Sequence, residues 1–72
     1  MPANAVTIDA DIMSGTPCFS GTRVPIKNLF DYLEAGAPLA DFFNDFPAVQ
    51  PEAAHAVLES ARHLVEEHAL VA

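Results

Sequence analysis

Seventy-two residues make one small domain, here spanning 1–72, whose lone core is marginal because so short a chain hides only about 60% of its surface. A single cysteine rules out an internal disulfide, and no Cys/His cluster has zinc-finger spacing, so self-association is the expected support. Ten acids against three fixed bases, a net charge of −7, count against a nucleic-acid binder and suit a basic protein partner.

Half of the residues are hydrophobic (51%), yet no apolar run approaches the roughly 20 residues that span a bilayer. Met1-Pro2-Ala3-Asn4 lacks a basic region leading into an apolar segment, which predicts a cytoplasmic location.

The first signal along the chain is Val6-Thr7-Ile8, a brief apolar/polar alternation that reads as an edge strand. Asp9-Ala10-Asp11 interrupts it, and Ser14-Gly15 turns the chain. The most sharply specified stretch is Thr16 to Ile26. Pro17 and Pro25 push their preceding residues toward extended geometry on either side of an apolar ribbon. Gly21-Thr22 fits a two-residue hairpin loop with glycine at the first central position, where positive φ is needed. Ser20 and Arg23 would then face each other, with Arg23 raised beside the turn. Cys18, inside the ribbon, reads as a small buried hydrophobe.

After Pro25 the period changes. Ile26, Leu29, Phe30 and Leu33 form one helical stripe, with Lys27, Asn28, Asp31 and Glu34 outside and Lys27–Asp31 at i,i+4. Gly36 is placed to close this helix in left-handed geometry. Pro38 opens a second, shorter helix with Leu39, Phe42, Phe43 and Phe46 inward and Asp41 and Asp45 outward, and Pro47 stops it. Core packing is the default for the three phenylalanines, with Phe43 or Phe46 the one to be left for a partner.

Gln50-Pro51-Glu52 starts the third and longest helix, with Val49 stapling onto Ala54 or nearby. Its stripe is Ala54, Val57, Leu58, Ala61, Leu64 and Val65, continuing to Leu70. Its outer face is His55, Glu59, Arg62, His63, Glu66 and Glu67. His55, Glu59 and His63 stack at i, i+4 and i+8, a spacing that can bind metal. On a polar face that nothing dries, a solvated surface with Glu59–His63 and Arg62–Glu66 pairs is the stronger reading. There is no catalytic Ser/His/Asp set, phosphate-cradling glycine loop or paired carboxylates in a cleft, so no enzyme activity and no cofactor are expected. The fold class expected is mainly α, a short strand and β-hairpin followed by a three-helix, helix-turn-helix-like bundle.

Gly15-x-Pro17, Gly21-Thr22-Arg23-Val24-Pro25, Ala35-Gly36 and Phe46-Pro47 stand in the order and spacing of one known family. The chain resembles the bacterial and archaeal family filed as domain of unknown function four-three-three, over about Ile8 to Ala61. That family is similar in fold to helix-turn-helix proteins, and its members often resemble VapB-type antitoxins encoded beside a PIN-like ribonuclease toxin. The resemblance implies a dimeric antitoxin of a toxin-antitoxin system that neutralises its toxin and represses its own operon. Three positions depart from the family pattern. Pro38 stands for the usual serine cap and Gln50 for a threonine, each costing about 1 kcal/mol at a helix start. Ser20 stands for a basic residue.

The candidate contact residues toward a toxin or nucleic acid are Thr22, Arg23, Lys27 and Arg62. Arg23 would enter the carboxylate-rich metal site of the nuclease, with Lys27 beside it. A stand-alone dimeric DNA-binding regulator using Arg23, Lys27 and Arg62, and an interaction domain without a nuclease partner, are the competing expectations.

Overall fold

A computed structural model describes residues 5–68. Strand β1 (Val6–Thr7) pairs antiparallel with β2 (Cys18–Phe19), and three helices follow: α1 (Ile26–Glu34), α2 (Leu39–Asp45) and α3 (Pro51–His68). The chain is therefore mostly helical, with a short two-stranded antiparallel pair at its start, as expected.

The strands join through a tight excursion. Asp9 Oδ1 accepts the Asp11 amide at 2.8 Å, and a 3-10 turn covers Met13–Gly15. Met13, Ser14 and Gly15 all take positive φ, at 52°, 57° and 85°. For the two non-glycine residues that geometry costs roughly 1–2 kcal/mol each. Val6 lies opposite Phe19 and Thr7 opposite Cys18, so the two-residue strands stay in register with the apolar ribbon. Cys18 also bridges to Pro25 on its other side, which makes β2 the middle of a three-rung ribbon.

Helix α1 starts at the residue after Pro25, whose extended backbone (ψ 143°) feeds the chain into the helix. It ends in a Schellman closure. The Ala37 amide donates to Tyr32 O and the Gly36 amide to Leu33 O, both at 3.0 Å, with Gly36 at φ +80°. Pro38 then plays for α2 the part Pro25 plays for α1, with no side-chain cap in either case. Asp41 in the first turn of α2 and Glu52 in that of α3 face the positive helix ends.

The core is built from β2 and all three helices, with Val6 of β1 packed against it: Phe19 of β2, Leu29 of α1, Phe42 of α2, Val49 before α3, and Ala54 and Val57 within it. Phe42 is its hub. It is fully buried, and the rings of Phe19, Tyr32, Phe43 and Phe46 surround it at 5.2–6.0 Å, in the tilted and edge-on geometries aromatic pairs prefer. Phe43 and Phe46 are half-buried against this cluster.

Two stripes differ from expectation. On α1, Leu33 is 37% exposed, and Tyr32 packs on the core in its place. The reason is that α2 covers the far end of α1 on the Tyr32 side, where Phe42 and Phe46 receive the phenol ring. On α3 the buried residues are Ala54, Ala56 and Val57, whereas Leu64 and Val65 are exposed. Its outer end, from Arg62 to His68, has every residue exposed because the body stops short of it. An 18-residue helix runs about 27 Å. Accordingly the molecule measures 35 × 27 × 20 Å, with a radius of gyration of 12.7 Å against about 11 Å for a compact chain. Leu70 lies outside the described residues.

Candidate contact site on the hairpin loop

The loop between β2 and α1 differs from a two-residue hairpin. Its four residues, 20–23, are closed by the Phe19 amide donating to Val24 O at 3.0 Å. Within it the Thr22 amide donates to Phe19 O at 3.0 Å, so Gly21 is the third residue of a β-turn, where its φ of +76° is needed. Thr22 is the reason for the longer loop. Its hydroxyl donates to Phe19 O at 2.8 Å and accepts the Val24 amide at 3.0 Å, knitting both ends together. That bonding commits a half-buried side chain to the loop itself, so Thr22 shapes the site from within.

Ser20 does not face Arg23. It turns to the neighbouring strand, its amide donating to Ala5 O at 3.1 Å and its hydroxyl lying 2.9 Å from Thr7 Oγ1. The loop is thus anchored on both sides, to β1 through Ser20 and to itself through Thr22. Pro25 and the Ile26 amide, which donates to Pro17 O at 2.9 Å, fix its exit into α1. Arg23 is exposed on this braced loop.

The other two fixed cations are engaged. Lys27 Nζ donates to Asp31 Oδ2 at 2.7 Å, the expected i,i+4 pair, and that bond raises the ammonium pKa. Arg62 is clasped twice. Its Nε meets the Glu59 carboxylate at 3.0 Å and its Nη1 meets Glu66 at 2.9 Å. The hydrogen bond from Arg62 holds Glu59 below its ordinary carboxylate value, and the same contact raises the guanidinium pKa. The Arg62–Glu66 pair was expected. Glu59, expected to pair with His63, instead takes Arg62, whose fork reaches a carboxylate three residues back as well as one four residues on. Among the described residues, Arg23 is the fixed cation with no ion pair.

One polar contact was missed. Asp45, expected to point away, accepts the Tyr32 hydroxyl. The two meet, at the surface, only because α2 folds back on α1, a relationship that spacing along either helix alone does not contain. His55, Glu59 and His63 are exposed on α3, and no group of three or more His, Cys, Asp or Glu side chains among the described residues is arranged to hold a metal ion.

The loop residues Gly21, Thr22, Arg23 and Pro25 are thus parts of one braced unit, and the sequence family described as Protein of unknown function (DUF433) matches residues 6–61, loop included. The chain belongs to that family. The match runs from β1 to Ala61 and stops where α3 leaves the body. No curated protein and no solved structure matches the chain. Among the described residues, no helix is long and apolar enough to cross a membrane.

Proposed function

We propose that this chain is an antitoxin-like binding module that neutralises a PIN-like ribonuclease in the cytoplasm, working as a homodimer. Arg23 is the residue that engages the nuclease, entering its carboxylate-lined metal site. The observation that supports this reading is the division among the three fixed cations. Lys27 and Arg62 already hold carboxylates of their own chain, while Arg23 stands exposed, with no ion pair among the described residues, on a loop braced at both ends. A pre-organised guanidinium loses less freedom on binding and matches a carboxylate with two parallel hydrogen bonds. Lys27, 77% exposed and paired only at the surface, is free to exchange Asp31 for a partner's acid at little cost.

The same division weighs against a stand-alone DNA-binding regulator. A chain of net charge −7 whose two other cations are internally paired has little to offer phosphates, so repression of its own operon would need the partner's charge as well. Pull-down with the product of the neighbouring gene tests the proposal. Arg23→Ala is expected to release the partner, and unchanged capture by both Arg23→Ala and Lys27→Ala removes the assigned site. A shift of the promoter at low salt by the isolated chain would favour the DNA-binding alternative.

A further inference from the structure

Among the described residues, the outer end of α3 is a helix without a body beneath it, exposed from Arg62 to His68. Val57, Ala61, Leu64 and Val65 fall at i, i+4, i+7 and i+8, so the stripe that fills the core continues past the core's edge. There Leu64 is 55% exposed and Val65 46% exposed. One exposed acid borders this stripe without an ion pair among the described residues: Glu67, one turn on from Leu64, whereas Glu59 and Glu66 hold Arg62. From Glu59 to His68 the helix carries three acids and one arginine, and that arginine is clasped by two of the acids. The clasp ties three successive turns together and stiffens a segment that would otherwise fray.

From this arrangement the geometry points to a docking ridge for a basic amphipathic helix of another protein. The apolar pair supplies the contact stripe and Glu67 beside it meets a lysine or arginine of the partner, a helix-on-helix mode read by alternate anchors. Charge decides the occupant. A second copy brings the same net −7, and its helix end offers no free fixed cation to meet Glu67, because Arg62 is held by Glu59 and Glu66. A homodimer formed through another surface is compatible with the ridge. The inference goes beyond the reading of Arg23 and does not depend on it.

The probe is a synthetic amphipathic helical peptide built of leucine and lysine, titrated by calorimetry into the full chain. Binding is expected at moderate salt and to weaken as salt rises, and to fall at least about tenfold in Leu64→Gln/Val65→Gln, with Glu67→Gln reducing the salt dependence. These positions are exposed, so circular dichroism is expected to match the parent, and Ile8→Gln, which alters another exposed hydrophobe, is expected to bind the peptide normally. Arg23→Ala is likewise expected to leave peptide binding intact, so failure here and failure of the nuclease reading separate. Overturning results are no binding, equal binding by the Leu64→Gln/Val65→Gln variant, or equal binding of a lysine peptide lacking leucine. A parent dimer in sedimentation that this double variant converts to monomer would also overturn it, by assigning the ridge to a second copy.

Discussion

Tyr32 on α1 donates its hydroxyl to the carboxylate of Asp45 on α2, while its ring lies edge-on to Phe42 and Phe46. One side chain thus joins the two shorter helices by an apolar and a polar contact together. The hydrogen bond to Asp45, the burial of the ring and the negative charge beside it all raise the phenol above its ordinary 10.0. Because the folded form holds this proton more tightly, the pair's stabilisation is full below about pH 10 and fades as pH rises through the elevated value. Ultraviolet titration of the phenol is expected to move toward the ordinary value in Asp45→Asn. Tyr32→Phe, which keeps the ring, is expected to abolish this pH dependence in urea unfolding while leaving the fold intact.

The loop gives a second expectation. Thr22→Val removes both hydroxyl bonds while preserving shape, and is expected to lower stability by about 1–2 kcal/mol. Thr22→Ser retains the hydroxyl and should recover most of it. Arg23→Ala, altering an exposed side chain that has no ion pair among the described residues, is expected to stay within about 0.5 kcal/mol of the parent. Denaturant midpoints of the three variants separate a residue that builds the loop from one displayed by it.

At the end of α1, Gly36→Ala is expected to cost about 1 kcal/mol. A methyl group there meets open space, so the whole effect is the left-handed backbone at φ +80°. Gly36→Asn should cost less, since asparagine tolerates that region better. Thermal melts would measure the difference.

The clasp on α3 is sensitive to acid. Glu59 titrates below its ordinary 4.5 because of Arg62, so its contribution to helix order is present above that value and lost as pH falls through the depressed one. Helicity followed by circular dichroism is expected to decline there, and Arg62→Ala, which removes the source of the shift, should flatten that step while Glu59 itself returns toward ordinary glutamate titration.

How far these features were legible in the sequence depended on how local their causes are. The proline-led starts at Pro25 and Pro38, the closure at Gly36 and the Lys27–Asp31 pair all follow from residues within one turn of each other, and all appear as read. The loop length did not, because it is set by the Thr22 hydroxyl and by Ser20 reaching across to Ala5 and Thr7, a strand far back in the chain. Tyr32 and Leu33 are neighbours on the same helix, and only the side from which α2 arrives decides between them. Leu64 and Val65 continue a periodic stripe faithfully, yet periodicity says which face is apolar and not how far a neighbour covers it. Arg23 was placed correctly as exposed; that Arg62 would be doubly engaged required seeing both glutamates converge.

Cys18 has 0% exposure, held in the middle rung of the ribbon between Thr7 and Pro25. The chain's sole thiol is therefore sealed against alkylating reagents until the ribbon parts, since an inaccessible sulfur does not react. Its modification by iodoacetamide becomes a clock for opening of the ribbon, readable by mass spectrometry at concentrations far below those that calorimetry needs. Anything that grips the folded protein should slow that clock.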